Sequence, residues 1–275
     1  MKKKSSAFYH IGLWVVVLVF FAPVFWICLS AFKTKADILA MPPKFIFTPT
    51  LANVIDLFQR EAFLNAIKNS FIMSLSSVSI ALVISFMAAY CFSRFAPKMT
   101  DFLMFLLLST RMVPGAATIV PMFLMYSALG WKSTYPGMIM FYTVFSIPFS
   151  VWILKGFLDG VSKRFDETAL VNGGGRWHTM FKIVLPQVKP GLVAAFIFNL
   201  IFVWNEFLFN FIIGGKTVET IPVTLSMGAF DSQGYNWTFM ATLSLFNIIP
   251  LIVVLFLFQK YLLVGMTFGT VRGEV

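Results

Sequence analysis

Six long apolar runs divide the chain, over roughly 11–32, 66–93, 102–128, 136–158, 190–213 and 237–263, and most charged residues fall between them. A helix needs about 20 predominantly apolar residues to cross the hydrocarbon of a bilayer, so each run is long enough to span one. The pattern predicts an all-α integral membrane protein with six transmembrane helices, forming one transmembrane domain over 1–275. No second soluble domain or low-complexity tract interrupts it. The two halves show no convincing repeat, which counts against an inverted-repeat carrier.

The first run follows Met1-Lys2-Lys3-Lys4, the basic start of a signal peptide. Its apolar stretch, Ile11 to Phe32, is too long for a cleaved h-region and lacks a small-x-small cleavage site, so it reads as an uncleaved signal anchor. With the amino terminus inside, six spans return the carboxyl terminus inside. Thirteen Lys and Arg then lie inside and seven outside, with Arg111 within a span, and this bias favours that orientation.

Composition agrees. Only 12% of residues are charged and 59% are hydrophobic, with mean hydropathy +0.86. An ordinary globular protein has about a quarter charged residues, so a water-facing surface of this size could not be covered. Intrinsic disorder is excluded by the hydrophobicity. The net charge of +10 has its explanation in asymmetric loops rather than nucleic-acid binding, and six of the thirteen inner charges cluster between Lys155 and Lys189. Cys28 and Cys91 sit inside apolar runs as small hydrophobes, with no disulfide or metal site implied. The outer segment 33–65 contains Met41-Pro42-Pro43 and Thr48-Pro49-Thr50, so part of it is extended, and residues 51–63 suit a short amphipathic helix.

Several spans carry polar groups that lipid would not tolerate. In the second, Ser70, Ser74, Ser77, Ala81, Ser85 and Ala88 share one helical face, suited to close packing within the subunit or against a second membrane subunit. The third is interrupted at Pro114-Gly115 and again at Pro121, with Arg111 one turn before the first break. At that depth Arg111 faces a cavity, a partner or the protein interior, as a structural clamp or a solute contact. The fifth places Asn199, Glu206 and Asn210 on one stripe beside Trp204 and Asn205. Glu206 either lines a solute pathway or bonds to Arg111 or a backbone amide. Asn247 and Pro250 make the sixth span another candidate for a kinked, cavity-facing helix. Arg111 and Glu206 are the two charges whose burial the pattern leaves unexplained.

The inner segment 160–187 is the most informative. Ser162 can cap a helix starting at Lys163, Asp166 and Glu167 lie at its positive end, and Asn172-Gly173 supplies a left-handed stop. A second helix follows from about Arg176 to Leu185, ending at Pro186. The triplet Gly173-Gly174-Gly175 has no phosphate-loop pattern and follows no strand. His178 has no ligand partner at metal spacing, so no metal site is expected. The segment reads as a surface made to dock something.

At these residues the chain resembles the permease subunits of binding-protein-dependent ABC importers. Their pattern is Glu-Ala-Ala, three residues, Gly, nine residues and Ile-x-Leu-Pro; here Glu167-Thr168-Ala169, Gly173 and Ile183-Val184-Leu185-Pro186 keep that spacing. Pro114, Pro121, Trp204-Asn205-Glu206-Phe207 and the ending from Gly265 to Gly273 resemble the carbohydrate, maltose-type branch, and its six-span member. Thr168, Asn172 and Ser162 depart from the usual Ala, Asp and Pro, and the missing Asp charge leaves open the details of any ion pair.

The resemblance implies a type I importer transmembrane domain whose coupling helix docks on a separate ATPase. Glu167 would face a basic group there, Ala169, Gly173 and Gly174 would permit close approach, and Thr168, Ile183, Leu185 and Pro186 complete the docking motif. The tail 264–275, with Gly265, Gly269 and Arg272, would lie near the ATPase dimer boundary. ATP and Mg would bind the ATPase, no cofactor this chain. Partners would be a second permease, two ATPase subunits and an extracytoplasmic binding protein delivering a sugar or sugar-like solute across a bacterial-type inner membrane. A permease for a non-sugar solute remains open, as does a stand-alone ion-coupled carrier or channel, against which the motif counts. A membrane enzyme is disfavoured because no paired carboxylates, His clusters or nucleophile motif accompany the spans.

Overall fold

The computed structural model describes the backbone of residues 2–231 and 234–266, and side chains over 9–230 and 234–261. The described residues are helical apart from loops and a two-residue antiparallel pair, Phe230–Asp231 with Gly234–Tyr235. Among the described residues four helical segments are long and apolar enough to cross a membrane: Tyr9–Ser30, Glu61–Arg94, Tyr135–Gly160 and Trp237–Tyr261. Two bent pairs raise the number to six if each is one span. The chain forms two compact units, residues 1–65 with 221–250 and residues 66–220 with 251–275.

The first unit holds α1 (Lys2–Ser30), α2 (Ala52–Gln59), and two helices from later in the chain, Ile221–Met227 and the beginning of Trp237–Met266. The side chains of α1 from Tyr9 to Phe21 are exposed around the whole helix, as suits a surround of lipid. The segment between α1 and α2 folds back on itself around Lys33, which is 1% exposed. Its ammonium donates to the Lys44 carbonyl at 2.7 Å and lies 3.8 Å from the Trp26 ring centroid, replacing water by a carbonyl and a π face. Asn53 ties α2 to this turn by donating to the carbonyls of Ala31 and Lys33 at 3.0 and 2.8 Å. Phe58, Phe63 and Phe246 pack edge to face at centroid distances of 5.1–5.6 Å.

The second unit contains most of α3 (Glu61–Arg94), then α4 (Thr100–Ser109), α5 (Gly115–Ala128), α6 (Tyr135–Gly160), α7 (Arg164–Val171), α8 (Arg176–Gln187) and α9 (Lys189–Trp204). Ser70, Ser74, Ser77, Ala81 and Ser85 are all buried within the chain, so the small face of α3 packs inside the subunit. There Ser85 donates to the Ile147 carbonyl and Ser77's carbonyl accepts from Thr143, both at 3.3 Å, which couples α3 to α6. Thr134 starts α6 by accepting from the Gly137 amide at 3.2 Å, with Pro136 in the first turn, where a missing amide proton is harmless.

Two runs read as single spans are interrupted. Between the segments Thr100–Met112 and Gly115–Ala128 the axis turns by 92°. Val113, the residue before Pro114, is extended (φ −69°, ψ 124°), because the proline ring crowds the helical conformation of its predecessor. Pro121 does not interrupt the chain again; α5 continues through it. The run 190–213 is likewise not one helix. It ends at Trp204 and resumes after Phe207, with π-helical pitch over Asn210–Gly214.

Candidate functional site

The segment between α6 and α9 is built as an outward-facing helix with a sharp stop. Ser162 Oγ accepts from the Arg164 amide at 3.3 Å, and the helix begins at Arg164, one residue later than the sequence suggests. Its end is a Schellman motif: the Gly174 amide donates to the Ala169 carbonyl at 2.9 Å and the Gly173 amide to that of Leu170 at 3.1 Å. Gly173 has φ +80°, where a side chain would be strained although space around it is open. Gly174 is needed for a different reason, since a Cβ there would stand 2.7 Å from the Ala169 carbonyl oxygen. The two glycines of the motif thus have a local purpose, turning the chain within three residues. Glu167, Thr168, Gly173 and Pro186 are exposed; Ala169, Gly174, Ile183 and Leu185 are half-buried. Phe165, Leu170, Val171 and Trp177 add exposed apolar surface beside Glu167. The second helix of the pair is present but takes π-helical pitch over Thr179–Val184.

Beneath α7 lies a polar network that sequence reasoning missed. Asp166 is buried, and its carboxylate accepts from the Tyr90 hydroxyl at 2.6 Å and pairs with Arg94 Nε at 3.0 Å. Arg94 Nη1 donates to the Leu158 carbonyl at 3.1 Å. Ser93 donates to Asp159 at 2.7 Å, and Asp159 pairs with Lys155 at 2.7 Å. Lys33, Arg94 and Asp166 therefore join Arg111 and Glu206 among the charges removed from water. A residue-by-residue reading takes Arg94 as an ordinary inner-loop charge; the one available signal was Asp166 on the side of α7 away from Thr168.

Farther along the unit a largely apolar cavity of about 1030 Å³ is lined by residues of α4, α5, α6 and α9 and of the segments that follow α4 and α9, including Arg111, Thr118, Phe145, Phe202 and Glu206. Arg111 and Glu206 both reach it without pairing with each other among the described residues. The Arg111 guanidinium lies 3.8 Å from the Phe145 centroid and 4.9 Å from that of Phe202. Glu206 accepts from the Tyr142 hydroxyl at 2.8 Å, the Phe209 amide at 2.8 Å and the Asn210 amide at 3.1 Å. A carboxylate that accepts from the third and fourth amides after it acts as a helix N-cap, and this is why α9 cannot run on through it.

The other polar residues of the stripe have separate surroundings. Asn199 is buried between α9 and α6, donating to Ser150 at 2.9 Å and the Ala195 carbonyl at 2.7 Å. Asn210 holds the following loop by donating to the Val218 carbonyl and accepting from the Thr220 amide, both at 3.0 Å. Trp204 is buried edge-on to Phe71, and Asn205 is exposed, donating to the Ile201 carbonyl at 2.8 Å. Asn247 is half-buried in the first unit. Gly265 falls in the last turns of the final helix, whereas Gly269 and Arg272 lie outside the described residues.

These features define a helical membrane protein of the transporter-permease class, with an exposed helical hairpin between its helices. Residues 81–267 match the family of binding-protein-dependent transport system inner membrane components, and the chain belongs to that family. It is 33% identical, over 94% of its length and 92% of the relative's, to a probable ABC transporter permease protein of Sinorhizobium fredii. It is 27% identical, over 96% of both chains, to a trehalose/maltose transport system permease protein of Thermococcus litoralis. Its fold superposes on a chain of a bacterial ABC transporter involved in import of the acidic polysaccharide alginate, with TM-score 0.78, 17% identity, and coverage of 95% of this chain and 98% of that one.

Proposed function

We propose that this chain is the six-span permease subunit of an ATP-driven importer, carrying a sugar or sugar-like solute from an extracytoplasmic binding protein across the bacterial cytoplasmic membrane, with both termini inside. The observation that carries the reading is α7. It presents Glu167, Thr168 and neighbouring apolar side chains outward and is cut off by a rigid two-glycine turn, the form expected of a coupling helix seated in another protein. In this reading two separate ATPase subunits bind and hydrolyse ATP with Mg, a second permease completes the membrane portion, and this chain makes and breaks no covalent bond. The tail from Gly265 through Gly269 and Arg272 reaches the ATPase boundary.

Transport needs two states that open to opposite sides, and a partner shifts their balance only if it interacts differently with each. The docking helix receives that difference, and the cavity beside Arg111 and Glu206 belongs to the part that changes. Asn199, Trp204, Asn205 and Asn210 then shape the kinked wall rather than touch solute, and Asn247 remains a pathway candidate in the first unit. The sugar assignment draws on the trehalose/maltose relative.

Glu167→Lys tests the reading. Set against basic groups on the ATPase, it abolishes uptake and loosens ATPase association while the subunit stays in the membrane; unchanged uptake overturns the docking role. Purification in mild detergent brings down a second permease and two ATPase copies. A lone chain that supports solute flux would instead establish a carrier.

A further inference from the structure

Of the eight residues of α7, all described, Asp166 alone is buried. A helix held only for stability would bury a leucine or methionine, because the desolvation of a buried ion pair consumes most of its Coulombic gain. What the pair supplies instead is direction. Apolar contacts tolerate sliding, whereas charge-assisted hydrogen bonds fix distance and angle. Asp166 accepts one such hydrogen bond near the end of α3, at 2.6 Å from Tyr90, and its other oxygen forms an ion pair with Arg94 Nε at 3.0 Å. The same guanidinium holds the Leu158 carbonyl near the end of α6, and Ser93 holds Asp159 one residue farther on. The docking helix is thus pinned at one charged point to two long helices, with Glu167, the next residue, exposed.

We infer that Asp166 and Arg94, with Tyr90, are positioning residues for energy coupling: they lock α7 to the ends of α3 and α6, so that a displacement of the docked helix moves both. This rests on the docking role proposed above. Glu167 governs whether the ATPase binds, and the Asp166–Arg94 pair governs whether its motion reaches the membrane helices.

The test uses the assembled transporter in proteoliposomes with its liganded binding protein, measuring solute moved per ATP hydrolysed. Asp166→Asn keeps the size and the acceptor for Tyr90 but removes the charge. Its complex is expected to retain both ATPase copies while solute moved per ATP falls at least fivefold. Arg94→Asp gives a similar loss, and the exchange Arg94→Asp with Asp166→Arg restores at least half of the wild-type ratio. A normal ratio in assembled Asp166→Asn complexes overturns the proposal. So does a variant that assembles poorly but whose surviving complexes couple normally, since the pair then only stabilises. Should the wild-type chain itself carry no ATPase, the docking reading fails instead, before coupling is measured.

Discussion

Glu206 offers a quantitative test of what breaks the fifth apolar run. Its two carboxylate oxygens serve three donors: Oε1 accepts from the Phe209 amide, and Oε2 from the Tyr142 hydroxyl and the Asn210 amide. Hydrogen bonds to a charged group contribute about 1.5–3 kcal/mol each. Glu206 also faces the cavity and is half-buried, so the low end of that range applies. Glu206→Gln can keep its oxygen at the Oε2 position and lose only the Phe209 bond, at a cost of about 1.5 kcal/mol. Glu206→Ala strands all three donors and costs roughly 4 kcal/mol. For a chain of this size about 1 kcal/mol corresponds to roughly 2–4 °C in Tm. Thermal unfolding of the purified complex in detergent, followed by size-exclusion chromatography after heating, is therefore expected to rank wild type above Gln above Ala, with the second step the larger. Equal loss in both variants would show that the charge, not the capping geometry, matters. No loss in either would refute the account of the break.

Two further outcomes follow from the local geometry. Gly174→Ala places a methyl group 2.7 Å from the Ala169 carbonyl and must open the Schellman turn, so ATPase co-purification should fall more than for Gly173→Asn, which tolerates positive φ. In the segment after α1, the hydrogen bond from Lys44, then that from Thr34, holds the half-buried Asp37 carboxyl below its ordinary value of 3.8. A depressed carboxyl contributes order above its unfolded pKa and loses it as pH falls through the folded one. A spin label at Ile46 is accordingly expected to gain mobility as the medium is acidified below the ordinary carboxylate range, and Lys44→Ala should give the mobile spectrum already at neutral pH.

The sequence by itself determined what short-range chemistry can determine. Run length and the scarcity of charge required membrane helices, since there is too little polar surface for water. Pro114 required a break, because a proline restricts the residue before it whatever the surroundings. Asn172-Gly173 required the end of α7, and the spacing from Glu167 to Pro186 carried the family resemblance. The tertiary structure decided matters that depend on residues far apart in the chain. Arg111 and Glu206 reach one cavity, but Arg111 stacks on Phe145 and Phe202 while Glu206 caps its own chain, a choice between partners that neither position reveals alone. Asn199 and Asn210 share a helical stripe only on paper, because the break at Glu206 separates them. Asp166 meets Tyr90 and Arg94 across more than seventy residues, and Lys33 meets the carbonyl of Lys44 inside the fold rather than in water. Period and composition report which faces avoid water, but where a buried charge finds its counter-group depends on which helix ends the fold brings together.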